Sequence, residues 1–256
     1  MRTLIVHYHI YKNAGTSIER ILSSSFGARF GALEGPTPTS ILRPIELARF
    51  AQRNPQLLAV SSHLLRPPAP QGLRTLPFVL IRQPLDRAYS VYCHHRRESG
   101  TFPSIAAARR MGFRDFVAWC LDHPVEGGVV MTNYQVIHLS EASFRNGGIL
   151  RATAKEDDLH AATQYLAAAA CFGVVDQFPQ AMDRFCAAAA AIGLPLIRST
   201  PHENVTAGRP DSLQRRIGLA EAELGTALCE RFKRENELDQ RLYAWASQHS
   251  LKNSVR

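Results

Sequence analysis

The stretch LIVHYHIYKNAGTSIERIL, residues 4–22, decides the fold class of this chain of 256 residues. Residues 4–9 form a mostly apolar run without strict alternation, which is typical of a parallel strand that is covered on both faces. A short turn through Gly15 follows, and Ile18, Ile21 and Leu22 then recur at the spacing of one helix face. A strand that passes directly into a helix is the first unit of an α/β fold.

Similar patterns predict the other elements. Further buried strands are predicted at residues 57–61, 78–81 and 172–175. Helices are predicted from Pro84, from Phe113, over residues 155–170 and over residues 179–191, and residues 213–248 predict one long helix or two. This order indicates a parallel β-sheet flanked by α-helices, with a helix-rich C-terminal half. Because no Gly/Ser-rich or Pro-rich linker interrupts it, we expect one domain over residues 1–256.

Composition excludes several classes of protein. The chain is 45% apolar, which is enough for a core, and it contains no run of about 18 uncharged apolar residues that would span a membrane. The first strand begins close to Met1 without a secretory signal, and the five cysteines form no CxxC pair, so we expect a cytoplasmic protein with reduced thiols. The formal charge of +8 favours an anionic partner without identifying it.

The turn after the first strand has the composition of an anion-binding loop. The first N–H groups of a helix have no partner within it, and together with the helix dipole they attract an anion. Gly15 would let the backbone approach that anion, Thr16 and Ser17 add hydroxyl groups, and Lys12 adds a positive charge. The turn is not a Walker A loop, because its lysine precedes its single glycine. The alternative is an ordinary turn capped by Thr16 or Ser17.

A second candidate site follows the strand at residues 78–81. Arg82 leaves the carboxyl end of that strand, where open α/β sheets bind ligands, and Ser90 lies on the next helix. A guanidinium fork and a hydroxyl group suit a phosphate. The alternative is that Arg82 forms an ion pair with Asp86 and that Ser90 only packs.

Together the two segments resemble the sulfotransferases that use 3′-phosphoadenosine 5′-phosphosulfate, especially the carbohydrate branch with the heparan sulfate and uronyl 2-O-sulfotransferases. Residues that match the family's PK[TN]AGT[ST]-like loop are Lys12, Asn13, Ala14, Gly15, Thr16 and Ser17. Residues that match its RxPxxRxxSxY-like segment are Arg82, Pro84, Arg87, Ser90 and Tyr92. Tyr11 and Gln83 depart from the family pattern, which has proline and aspartate there. Weaker similarities at residues 133–140, 172–178, 202–205 and 238–243 extend the resemblance over nearly the whole chain.

The resemblance implies a P-loop-NTPase-like sulfotransferase fold and metal-independent transfer of a sulfuryl group to an acceptor hydroxyl, on a carbohydrate. Residues 12–17 would hold the 5′-phosphosulfate, and Arg82 and Ser90 would hold the 3′-phosphate. His63, just past the second predicted strand, resembles the family's catalytic base, and Lys12 would stabilise charge on the leaving oxygen. We expect no nucleic-acid partner and no membrane span.

Two other functions stay open at this point. A nucleotide kinase would share the fold, although the Walker lysine and a convincing magnesium carboxylate are missing. A non-catalytic binder of an anionic saccharide would also use a basic surface. Three smaller predictions accompany them: Arg209 reaches the 3′-phosphate, the run His94–Arg97 is a solvated face or grips an anionic acceptor, and residues 27–53 and 98–114 shape the acceptor cleft.

Overall fold

A parallel sheet forms the centre of the molecule. The computed structural model describes residues 3–145, 148–197, 210 and 212–250. Its strands are β1 (Thr3–Tyr8), β2 (Phe30–Ala32), β3 (Ala59–Ser62), β4 (Arg74–Phe78), β5 (Leu80–Ile81) and β6 (Gly173–Val174). Four of them pair in the order β2-β3-β1-β4, and β5 pairs with β6, with every pairing parallel. Only Val79 separates β4 from β5, and the expected parallel sheet of an α/β fold is confirmed.

Helices account for most of the rest of the described chain. They are α1 (Gly15–Phe26), α2 (Pro44–Arg53), α3 (Pro84–His95), α4 (Pro103–Arg110), α5 (Phe113–Asp122), α6 (Tyr134–Leu139), α7 (Glu156–Ala168), α8 (Phe178–Ala191), α9 (Leu213–Leu224), α10 (Thr226–Glu235) and α11 (Glu237–His249). Single 3₁₀ turns connect several of these elements. The second half of the chain is rich in helices, as predicted.

The structure differs from the sequence prediction where apolar runs are short or interrupted. The strand predicted at residues 78–81 begins earlier, at Arg74, because an exposed arginine and Pro77 hide that part from a search for apolar runs. The strand β2 is only Phe30 to Ala32 and was not predicted. Residues 213–248 form three helices, not one or two, since Gly225 takes φ 71° between α9 and α10 and Asn236 separates α10 from α11.

The two faces of the sheet belong to different parts of the core. Leu4, Val6 and Tyr8 of β1 pack on one face in a cluster with α2, α6, α7 and α11. Ile5 points to the other face and packs with α1 and α8. Alternation along one strand therefore fills both layers, and this explains why the strand reads as a continuous apolar run. A third cluster joins α3, α4, α5, α9 and α10.

Three segments with predicted site residues leave the same edge of the sheet. The loop with Lys12 follows β1, His63 follows β3 and Arg82 follows β5, each at the carboxyl end of a parallel strand. This edge is where open α/β sheets bind ligands. None of the described helices is long and apolar enough to cross a membrane. All five cysteines lie in the described residues, and none of them forms a disulfide.

Candidate functional site

The loop between β1 and α1 has a strained backbone and an open helix end. Lys12 and Ala14 adopt left-handed conformations with φ 65° and φ 60°, which non-glycine residues rarely do. No side chain of the described residues caps α1, so the alternative of a turn capped by Thr16 or Ser17 is not what forms. Thr16 is exposed and Ser17 is buried. The Ser17 N–H donates to the Ala14 carbonyl at 3.1 Å, so the N–H groups of Gly15 and Thr16 are the ones at the start of α1 that could meet an anion.

Buried amide groups hold this loop in place. Asn13 donates from Nδ2 to the Leu80 carbonyl and to Oε1 of Gln135, both at 2.7 Å. Gln135 Oε1 also accepts from the Arg82 N–H at 2.8 Å, and its Nε2 donates to the Arg82 carbonyl at 2.8 Å. One glutamine side chain therefore couples the end of β5 to the loop after β1.

The carboxylate of Asp239 on α11 supports that glutamine from behind. Its oxygens accept from the backbone N–H groups of Gln135 at 3.1 Å and Val136 at 2.8 Å. Burial raises the pKa of Asp239, although the charge of the nearby Arg87 opposes that shift. Arg87 is itself buried and donates to the carbonyls of Tyr11 and Val130. Residues from β5, α3, α6 and α11 thus brace the loop, and we name Asn13, Gln135 and Asp239 the amide brace.

Gly15 is required by a neighbouring ring. A Cβ atom at this position would lie 2.0 Å from Cδ2 of His9. The sequence had suggested that Gly15 gives a ligand access to the backbone, and the structure adds a reason internal to the fold. His9 is buried directly after the end of β1 and borders the loop.

Arg82 lies beside the loop but is engaged within the protein. Its Nε donates to Asp86 at 2.7 Å and its Nη1 to the Lys12 carbonyl at 2.7 Å. Asp86 also pairs with Arg216 at 2.7 Å, so two guanidinium groups share one buried carboxylate. The ion pair considered as an alternative is therefore present, and Arg82 also connects to the loop. Ser90 is half-buried one helical turn after Asp86, on the same face of α3.

Positive charges crowd around Lys12. Burial, followed by the charges of Arg82 and Arg97, lowers the pKa of Lys12 to about 8. Among the described residues, no carboxylate forms an ion pair with its ammonium group, and Glu98 acts on it only at longer range. An anion bound here would relieve the crowding, because opposite charge favours the protonated lysine.

His63 lies at the edge of a cleft, with its imidazole held from two sides. Its Nδ1 donates to Glu34 Oε1 at 3.2 Å, and its ring stacks on that of His9 with 3.7 Å between centroids. The bond to Glu34 places the proton on Nδ1 and leaves Nε2 as the basic nitrogen. The side chain is 41% exposed, so a substrate can reach it.

Behind His63 lies a buried chain of hydrogen bonds. His9 Nδ1 donates to Glu19 Oε1 at 2.9 Å, and the Ser61 hydroxyl donates to the same oxygen at 2.8 Å. His7 Nδ1 then donates to Ser61 Oγ at 2.8 Å. Burial lowers the pKa of His7 well below its usual value, so this ring is neutral at pH 7.

Three of these residues, His7, His9 and Glu19, form the group in the described chain that could hold a metal ion. Ligand atoms of His7, His9 and Glu19 lie within 4.8 Å of one another. Glu19 Oε1 already accepts two hydrogen bonds, and both Nδ1 atoms are engaged as donors. A metal bound at these Nδ1 and Oε1 atoms would replace those hydrogen bonds.

The cleft next to His63 has a volume of about 640 Å³. Its walls come from residues 34–40, from residues 98–105 without Ser99 and Pro103, and from residues 125–130 without Gly128, together with Tyr11, Arg66 and Leu150. The first two segments fall within the stretches 27–53 and 98–114 that were predicted to shape an acceptor cleft. His94 and His95 also line it, with His94 paired to Glu98 at 2.6 Å.

Some predictions fall outside the described residues, and some site residues were not predicted. Arg209 and the weak family similarity at residues 202–205 lie outside the described ranges. Gln135 and Asp239 were noted only as weak family similarities, and Glu19 and Glu34 were missed. His7 and His9 were the available signal for a buried partner such as Glu19. Residues two apart in an extended segment share a face, and buried polar side chains need hydrogen-bond partners.

Comparison with known proteins finds a distant relative but no matching family model. No protein-family model matches the chain. It is 24% identical over 248 residues to an uncharacterized protein of Archaeoglobus fulgidus, and the alignment covers 94% of this chain and 95% of that protein. The similarity therefore extends almost from end to end.

Proposed function

We propose that this protein transfers the sulfuryl group of 3′-phosphoadenosine 5′-phosphosulfate to an acceptor hydroxyl. The observation that carries the proposal is the convergence of Lys12, Arg82 and the uncapped start of α1 at the carboxyl edge of a parallel sheet. N–H groups at an uncapped helix start and a local excess of positive charge are the donor set that phosphate and sulfate oxygens need. The resemblance of both loops to the sulfotransferase family supports the same assignment.

The finer fold follows as part of the proposal. The strand order β2-β3-β1-β4, with β1 leading through the anion loop into α1, suits a P-loop-NTPase-like sulfotransferase fold. The amide brace would give the loop a fixed shape before the donor binds, so that little reorganisation is needed. Gln83 supports this reading, because its side chain caps α3 through the Asp86 N–H at 2.8 Å where the family has an aspartate.

The donor fits residues of this chain at both phosphate positions. The N–H groups of Gly15 and Thr16 and the hydroxyls of Thr16 and Ser17 would hold the 5′-phosphosulfate beside Lys12. Arg82 and Ser90 would hold the 3′-phosphate, using the N–H groups of Arg82 that Asp86 and the Lys12 carbonyl leave over. When bound, the donor supplies an activated sulfuryl group on a phosphate leaving group.

In this proposal, His63 acts as the general base and Lys12 stabilises the leaving oxygen. Nε2 of His63 removes the hydroxyl proton while Glu34 holds the opposite nitrogen. The protonated ammonium of Lys12 stabilises the charge that grows on the oxygen leaving sulfur. The hydroxyl oxygen gains the sulfuryl group, and the electron pair of the broken sulfur–oxygen bond stays on the 5′-phosphate.

Calorimetric titration with adenosine 3′,5′-bisphosphate, without magnesium, tests the donor site. We expect micromolar binding that weakens at least about tenfold in Lys12→Ala, since one charge-assisted contact to phosphate is lost. Arg74→Ala is the matched control, because it also removes one positive charge. Arg74 is exposed at the amino end of β4, away from the carboxyl ends of the strands. If folded wild-type protein does not bind the bisphosphate, or if it binds ATP with magnesium instead, the proposal is wrong and the kinase reading replaces it.

A further inference from the structure

The cleft beside His63 is lined by several exposed apolar side chains, although the chain as a whole is basic. Phe102, Val125 and Leu150 line it and are 42%, 46% and 39% exposed. They are three of the large apolar side chains that the described residues leave open to solvent. Single exposed apolar residues are ordinary, but several around one cavity mark a binding site for an apolar group.

Three carboxylates lie among the residues that line this cleft. Glu34, Glu98 and Glu126 all line it. Among the described residues that line the cleft, Arg66 is the only lysine or arginine, and it is only 1% exposed. Its guanidinium donates to the His63 carbonyl at 3.0 Å and to Ser143 Oγ at 3.1 Å, so it holds the backbone beside the base. The other lysines and arginines of the described residues do not line this cleft.

This distribution is unfavourable for a polyanion. Each acidic sugar of a polyuronate or a sulfated polysaccharide would bring a negative charge close to these carboxylates, where like charges repel. The volume of about 640 Å³ instead lies within the range of pockets that enclose one small molecule.

We propose that the acceptor is a small hydroxyl compound with an apolar body, aryl or alkyl, and not an acidic polysaccharide. The inference rests on the proposed function for its chemistry and narrows the substrate class of that site. The apolar body packs against Phe102, Val125 and Leu150, and the hydroxyl reaches Nε2 of His63. In the transfer, the hydroxyl oxygen bonds to sulfur, the bond from sulfur to the 5′-phosphate oxygen breaks, and the proton moves to His63. The products are a sulfate monoester and adenosine 3′,5′-bisphosphate.

Direct binding of 2-naphthol and of decanol to the whole protein tests the acceptor class without any turnover. We expect both probes to bind, with affinities that stay nearly constant between low and high salt because apolar contacts dominate. Phe102→Ala should weaken binding about 5- to 10-fold through the loss of buried apolar area. Leu219→Ala is the matched control, since Leu219 is similarly exposed on α9 and lies outside the cleft.

The outcomes separate this inference from the proposed function. Absence of probe binding, or equal binding by Phe102→Ala and the wild type, overturns it. Salt-sensitive binding of a polyuronate that displaces 2-naphthol also overturns it and restores the acidic saccharide. Because adenosine 3′,5′-bisphosphate is titrated separately, a protein that binds the bisphosphate but neither probe refutes the acceptor class alone. A protein that binds the probes but not the bisphosphate refutes the sulfotransferase proposal alone.

Discussion

The loop at residues 12–17 and the cleft beside His63 are neighbours built in opposite ways. The loop is one short segment, and its bonds reach Leu80, Arg82 and Gln135, far away in the chain. The cleft is assembled from several segments, and the bonds described within residues 36–40 join only Thr37 to Thr39 and Ser40. The difference teaches that the proposed donor side is braced by residues far away in the chain, whereas the cleft wall at residues 36–40 is held by local bonds.

Removing the brace is the largest expected perturbation. Gln135→Leu leaves the Arg82 N–H and the Arg82 carbonyl without their partner, and the Asn13 amide keeps only its bond to the Leu80 carbonyl. Each buried polar group so stranded costs about 1–3 kcal/mol, so we expect a loss of about 2–6 kcal/mol in the free energy of unfolding. Chemical denaturation measures it, with Gln164→Leu on the exposed face of α7 as control. Equal effects of the two substitutions would mean that the brace does not distinguish the two regions.

The contact between Gly15 and His9 should have the next largest effect. Gly15→Ala forces its Cβ against the His9 ring and should destabilise the fold by about 1–3 kcal/mol, as overpacking does. Gly218→Ala is the control, because a Cβ there meets nothing within 4 Å. Thermal unfolding compares them. The double variant His9→Ala/Gly15→Ala should recover part of the loss, and a purely additive result would show that His9 is not the obstacle.

The charge of Lys12 gives a pH dependence to the donor side only. Its pKa of about 8 means that binding of adenosine 3′,5′-bisphosphate is strongest below pH 8 and weakens as pH rises through that value. The weakening should approach tenfold per pH unit, since binding must then include proton uptake. Calorimetry at pH 8.5 in two buffers of different ionisation enthalpy detects that proton. Lys12→Arg should bind without the pH dependence, and an unchanged profile in this variant would exclude Lys12 as its source.

A change in the cleft should leave the fold almost untouched. Glu34→Ala removes a bond between two side chains that are each close to half exposed, so the stability should change by less than about 1 kcal/mol. Affinity for adenosine 3′,5′-bisphosphate should also stay the same, while any sulfuryl transfer slows because His63 loses its orienting partner. Thermal unfolding and the bisphosphate titration check the first two statements. A large loss of stability would show that the cleft is braced as firmly as the loop.

Sequence alone determined those features that depend on neighbouring residues. The apolar run of β1, the helical spacing of α1 and the polar turn between them are local patterns, so they predicted the parallel α/β arrangement and the position of the loop at residues 12–17. The same reasoning placed His63 and Arg82 at the ends of strands, where the sheet brings them to one edge.

Tertiary structure alone decided which partner each side chain meets. Asp239 supports Gln135 from more than 100 residues away, and no local pattern encodes that contact. The need for glycine at position 15 comes from the His9 ring, and the opening of α1 toward an anion depends on Thr16 and Ser17 leaving it uncapped. Burial and long-range packing set these facts, because desolvation and hydrogen bonding act between groups that only the folded chain brings together.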